Sequence, residues 1–310
     1  MNIEQAFQAI CDNPEDDEPR LEYAKLIESS DPDHAKFIRW QVRYADERRH
    51  GVEHGGGASD KDRLLPANGA RWAHNIAKFA AHGDPRNIAF DRGFPLHLEM
   101  HPDVFVEYAD LIFRLAPIRS IYFVQPYDED GELLRGAGGE IAPYPMDRLL
   151  ACPQLSRLDS VGFVHVELKP SYPDHPGDVT KIARCPHLSR CLSLNFRSTT
   201  ITDHAFLELA EGELTRKVLA VRPLYVGERR VDDIEVGMGE YTRTDFPDEW
   251  KAVERRLGYI PWLHPSHNDL LHGYDLRWHL EHGKLPRYPP GSPPKPEWYD
   301  VPREWKARSW

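Results

Sequence analysis

Nothing in this chain approaches the roughly 18 consecutive apolar residues that a membrane-crossing helix requires, so the sequence predicts no membrane partner. The first twenty residues, MNIEQAFQAICDNPEDDEPR, carry acid where a secretory leader carries base, and they lack a continuous apolar stretch. No export is expected, and the cytoplasm is the expected compartment. Cysteine is scarce: Cys11, Cys152, Cys185 and Cys191 are all that 310 residues contain, and none forms a CxxC pair. That pattern suits reduced, buried thiols better than a disulfide framework or a zinc site. Basic surface is short as well. The net charge of -11 works against the counterion displacement on which nucleic-acid binding depends, so no nucleic-acid partner is expected.

Several catalytic signatures are also missing. There is no nucleophile elbow, no glycine-rich dinucleotide fingerprint and no kinase motif set. Gly55, Gly56 and Gly57 are followed by no Gly-Lys-Ser/Thr and preceded by no apolar strand, so they read as a surface loop rather than a phosphate cradle. What remains is a globular composition, 40% hydrophobic and 29% charged, in a chain long enough for two or three cooperating units or one elongated array.

The first fifty residues predict three short helices. Asn13-Pro14 and Asp31-Pro32 each set a capping side chain before a proline at a first helical position. The acidic run Glu15, Asp16, Asp17 and Glu18 lies at the positive end of a helix dipole and reads as a capped, solvated helix start. Leu21, Ala24, Leu26 and Ile27 form an apolar stripe in the second helix; Phe37, Ile38, Gln41 and Val42 mark one in the third.

The string AFQAICDNPEDDEPRLEYAKLIESSDPDHAKFIRWQ, residues 6–41, resembles the bacterial repeat-companion domain, a short helical module. The resemblance rests on Asn13, Pro14, Asp16, Asp17, Arg20, Leu21, Tyr23, Ala24, Asp31, Pro32, Phe37, Ile38, Arg39 and Gln41. Lys25 and Leu26 stand where that family usually carries Asp and Trp. Arg92-Gly93-Phe94 matches the Arg-Gly-Phe that follows the module in related proteins. The resemblance implies no catalytic activity; it implies that leucine-rich-repeat-like segments follow.

Beyond the flexible-looking stretch 50–62, a helix is expected over 71–81, and then a half-buried strand in which Phe94, Leu96, Leu98 and Met100 alternate. Four later segments repeat one another: LAPIRSIYFV, LACPQLSRLDSVGF, ARCPHLSRCLSLNF and LAEGELTRKVLAV. Their apolar anchors pair as Ile118 with Ile121, Leu155 with Leu158, Leu188 with Cys191, and Leu214 with Lys217, the first anchors lying 37, 33 and 26 residues apart. Ile201-Thr202-Asp203-His204-Ala205-Phe206 resembles the start of the helix in bacterial leucine-rich repeats, with Thr202 or Asp203 as cap.

A strand-turn-helix unit of this size cannot bury its apolar face alone and must stack on a neighbour. The expected fold is therefore α/β: an N-terminal helical module leading into a leucine-rich-repeat-like solenoid with a short parallel sheet and outer helices. Leu192, Leu194 and Phe196 should point into the core, as should Val161 and Phe163. Ser160, Ser193 and Asn195 should then occupy an open face where a protein partner binds, unless Asn195 instead bonds turn backbone.

Six of the eight tryptophans, Trp250, Trp262, Trp278, Trp298, Trp305 and Trp310, fall in the last 61 residues. After Gly283 a proline-rich, extended run either straps over the solenoid end or presents Trp298 and Trp305 to a partner. His264, His267, His272, His279 and His282, with Asp269 and Asp275, are residue types a divalent transition metal takes, but their spacing lacks HExxH and assigns no metal.

The expected organisation is a helical module over 1–50, a loop and connecting helix over 51–90, the degenerate repeat region over 91–225, and a helical Trp/Pro-rich cap or tail over 226–310. The expected function is that of a non-catalytic protein-binding or scaffold protein without a cofactor. The competing readings are an accessory subunit of an enzyme complex and a metalloprotein built on the C-terminal His/Asp cluster.

Overall fold

The computed structural model describes residues 1–49, 60–84, 87–125, 144–164, 166, 168–169, 176–196, 200–201, 220–222 and 225–226. It is mixed α/β with a mostly parallel sheet, and the chain divides into two compact units, Met1–Tyr122 and Phe123–Trp310.

The first unit begins with α1 (Ile3–Asp12), α2 (Glu18–Ile27) and α3 (Pro32–Arg49). A capping box starts α1: Asn2 Oδ1 accepts from the Gln5 backbone at 2.8 Å, and Gln5 Oε1 accepts from the Asn2 backbone at 3.0 Å. Asp31 caps α3 as the sequence predicts, its Oδ1 accepting from His34 N at 3.1 Å ahead of Pro32. The start of α2 differs. Pro14 lies in a turn, and the helix begins only at Glu18, with Pro19 as its first-turn proline. Asp16 still serves the helix start, its Oδ1 accepting from Glu18 N at 3.0 Å, whereas Glu15 and Asp17 turn to another use, described below.

The three helices enclose Ile10, Ala24, Ile27, Ala35, Ile38 and Val42. Phe94 joins them from far along the chain, and Phe7 and Tyr23 pack against the cluster.

Next come α4 (Asp60–Trp72) and α5 (His74–Ala77). The region expected to be a loop up to Asp62 is thus already helical from Asp60, with Pro66 accommodated inside the helix. The helix expected over 71–81 is broken instead: α4 ends at Trp72, α5 is a single turn, and a 3₁₀ turn at Ala81–Gly83 has His82 at φ 56°. Aromatic packing explains why α4 stops there. Trp72 stacks on His34 with centroids 4.5 Å apart and on Phe37 at 5.0 Å. Its indole donates to Asp31 Oδ2 at 3.1 Å, and Arg71 binds the same carboxylate through both nitrogens at 2.6 and 3.1 Å.

β1 (Ile88–Asp91) and β2 (Phe94–Met100) form an antiparallel hairpin with Asp91 opposite Phe94. The alternation read from the sequence is present, with Phe94, Leu96, Leu98 and Met100 all buried. The strand is buried on both sides rather than one, since His97 is only 8% exposed. The amphipathic α6 (Pro102–Leu115) buries Phe105, Ala109, Ile112 and Phe113 and returns the chain to β3 (Ser120–Val124), the strand in which the two units meet along the chain.

In the second unit α7 (Met146–Leu150) and a 3₁₀ turn at Pro153–Arg157 lead to β4 (Ser160–Val164); α8 (Asp178–Ala183) and a 3₁₀ turn at Pro186–Leu188 lead to β5 (Ser193–Asn195). β6 (Thr200–Ile201), β7 (Ala220–Arg222) and β8 (Tyr225–Val226) follow. β4 pairs parallel with β5 and β5 with β7, while β6 pairs parallel with β8.

The two middle segments superpose in sequence at an offset of 33 residues, and their backbone turns are the same. Cys152 N donates to Leu149 O at 3.0 Å where Cys185 N donates to Ile182 O at 3.1 Å. Leu158 N then donates to Leu155 O at 3.0 Å where Cys191 N donates to Leu188 O at 2.8 Å. All eight of these residues are buried. The first segment departs from this pattern. Ile121 lies inside β3, whereas Leu158 and Cys191 precede their strands, because Ala116-Pro117-Ile118 joins α6 to the strand without a 3₁₀ turn.

Candidate functional site

The face on which the sequence places a partner is set by strand register. Ser160 pairs with Ser193, Val161 with Leu194 and Gly162 with Asn195; across the next strand pair Asn195 lies opposite Arg222. Leu192, Leu194 and Phe196 are buried, as are Val161 and Phe163. An aromatic column fixes that register: Phe163 lies 6.1 Å from Phe123 and 5.9 Å from Phe196, the latter ring pair nearly parallel at 19°.

The alternate positions are less open than the sequence suggests. Ser160 is 4% and Ser193 8% exposed, so neither hydroxyl sits on a free surface. Asn195 is half-buried and reaches the surface. The Ser193 amide is engaged below the strand, donating to Asp159 O at 3.1 Å, and the Leu192 amide donates to the same oxygen at 2.7 Å. Trp298, Trp305 and the C-terminal histidines lie outside the described residues, as do Leu214, Lys217 and the helix expected after Thr202.

On the helical side of this unit a groove of about 340 Å³ runs between α7 and α8, lined by Asp147, Leu150, Lys181, Arg184 and Cys185 among others. Lys181 spans it, 2.7 Å from Asp147 Oδ1 and 3.8 Å from Asp178 Oδ1. That bridge raises the lysine pKa and lowers that of Asp147. Cys185 Sγ donates to Leu150 O at 3.4 Å, and burial pushes its thiol pKa upward, away from thiolate chemistry.

Two polar arrangements in the first unit were not legible from the sequence. His97 Nδ1 and Ser120 Oγ lie 2.8 Å apart on adjacent strands, with Tyr122 edge-on to the imidazole at 4.3 Å. A hydroxyl beside an imidazole is the beginning of a nucleophile-base pair. Burial pushes the His97 pKa down to about 4, which keeps the ring neutral. Ser120 is only 2% exposed, however, and among the described residues no carboxylate orients the ring, so the pair serves the interior as a satisfied polar contact.

The second arrangement gathers charges. Arg92, 1% exposed, reaches Asp91 Oδ2 at 2.9 Å, Asp17 Oδ1 at 3.3 Å and Glu15 Oε2 at 3.6 Å, and donates to Glu15 O at 3.1 Å. Arg119 approaches the other oxygen of Glu15 at 3.6 Å. Two of the four acids of the run, Glu15 and Asp17, are therefore spent on buried guanidinium groups, while Asp16 and Glu18 stay at the start of α2. Burial opposes the charge on Arg92, but Asp91, Glu15 and Asp17 outweigh it and raise its pKa. Arg20 fares differently: fully buried, it donates to Asp16 O at 2.9 Å, while its Nε and Nη2 find no acceptor. Burial, with Arg92 nearby, lowers its pKa to about 9.

No family model, curated protein or solved structure matches the chain. Among the described residues no group of three or more His, Cys, Asp or Glu is arranged to hold a metal ion, and no helix is long and apolar enough to cross a membrane.

Proposed function

We propose that this protein is a non-catalytic protein-binding scaffold, in which a repeat-companion-like helical module precedes a leucine-rich-repeat-like solenoid. The observation that carries the reading is the 33-residue repeat whose strands pair in parallel with equivalent residues opposite each other, Ser160 with Ser193 and Val161 with Leu194. A stack of this kind extends by adding like units and offers its aligned strands as a continuous surface. The extension by β7 in the same register supports this. A cytoplasmic setting fits the four free cysteines, all of them buried.

The recognition position on this reading is Asn195, half-buried and flanked by Gly162 on one side and Arg222 on the other. Its exposure, where Ser160 and Ser193 are covered, makes it the position of the two strands that a protruding partner element can reach. Ser160 and Ser193 serve as packing beneath that surface. The partner is another protein. Affinity purification from the native host tests this, using the intact chain against Asn195→Glu. The substitution changes the side chain and leaves the backbone pairing with Gly162 and Arg222 in place. Selective loss of a stoichiometric partner at unchanged melting temperature supports the reading; an identical capture profile overturns it.

A further inference from the structure

We propose that the α1–α3 module is a recognition site for a β-hairpin tip bearing Arg-Gly-Phe, filled in this chain by its own residues 91–94. The tip is a two-residue loop between Asp91 and Phe94, and both central residues have positive φ, 47° at Arg92 and 91° at Gly93. That is the type I′ turn, whose twist matches the hairpin and which normally takes Asn-Gly or Asp-Gly. An arginine is disfavoured in the left-handed region, where its Cβ crowds the following carbonyl oxygen. Its side chain, not its backbone preference, accounts for its presence.

Each of the three tip residues is read by different chemistry from the module. Gly93 is read by contact and by backbone. A Cβ there would come within 2.9 Å of Ile38 Cα and closer still to Ile38 Cγ1. His34 Nε2 donates to Gly93 O at 2.9 Å, and Gly93 N donates to Gln41 Oε1 at 2.6 Å. His34, Ile38 and Gln41 share one face of α3, at helical spacing. Arg92 is read by the turn between α1 and α2 through the Glu15 and Asp17 carboxylates and the Glu15 carbonyl. Phe94 is read by an aromatic pocket, its ring 6.0 Å from Phe7, 5.3 Å from Tyr23 and 5.6 Å from His34.

An arginine and an aromatic seated in desolvated pockets, with the backbone between them held at both its polar groups, is the composition of an interface hot spot. The reader and the read segment are separated by 52 residues between Gln41 and Gly93, so the contact is an encounter between distant parts of the chain. The module's partner class is accordingly a hairpin tip of this sequence, and substitution of any of its three residues should weaken capture.

The test uses the full chain with a protease site introduced between residues 50 and 59, so that cleavage leaves the module attached only by contacts. After cleavage the wild-type fragments should co-elute as a 1:1 complex. Gly93→Val should weaken the association by about 100-fold or more. Arg92→Glu should weaken it too, and adding Asp17→Arg to Arg92→Glu should recover at least about tenfold. Dissociation of the cleaved wild type, equal retention of the Gly93→Val fragment, or no recovery in the charge-swapped pair would overturn the proposal.

Discussion

Ser193 lies directly opposite Ser160 on the neighbouring parallel strand, 33 residues earlier in the chain, and both are buried. A single register therefore sets the whole middle of the protein, because a slip of one residue would exchange Leu194 and Phe196 for Ser193 and Asn195 in the core. Leu194 is fully buried and lies in register with Val161 and Val221 on the flanking strands. Leu194→Ala should lower unfolding free energy by about 2–5 kcal/mol, measured by chemical denaturation. A thermally silent Leu194→Ala would place that side chain outside the core.

Two of the three buried arginines of the first unit, Arg92 and Arg20, should respond differently to the same substitution. Arg92→Met strands Asp91, Glu15 and Asp17 without their cation, and should cost roughly 3–5 kcal/mol. Arg20→Met removes a buried charge with one hydrogen bond and no salt bridge, so its cost should stay within about 1 kcal/mol. Equal costs measured by denaturant titration would mean that the carboxylates serve both guanidinium groups alike.

Acid should destabilise the first unit before the carboxylates titrate. Burial lowers the pKa of His97 from 6.5 to about 4 and lowers that of His34 as well, so the unfolded chain takes up protons that the folded one refuses. The stability tied to His97 is complete above pH 6.5 and is lost as the pH falls from there toward about 4. His97→Gln should flatten that part of the stability-against-pH curve. An unchanged slope between those pH values would show that the imidazole is already charged in the folded state.

Much of the fold was legible because it follows local rules. Asp31-Pro32 marks a helix start wherever it occurs, and the Cys-Pro-x-Leu-Ser-Arg strings at 152–157 and 185–190 repeat because identical turns need identical residues. The use of Glu15 and Asp17 was not legible, since their partner Arg92 lies 75 residues or more away and a helix dipole explains acid equally well. The pairing of His97 with Ser120 was hidden for the same reason: two residues 23 apart meet only once the strands are adjacent. The face expected to be open at Ser160 and Ser193 illustrates a further limit, because alternation separates the two sides of a strand without saying whether either is covered.

The partner-binding part of the scaffold proposal rests on Asn195, a half-buried residue of the aligned strands that the sequence already singled out. The most direct measurement compares wild type and Asn195→Glu in affinity purification from the host, with melting temperatures recorded for both. A stoichiometric protein partner should be retained by the wild type and lost from the variant at equal stability. Indistinguishable capture by the two proteins would contradict it.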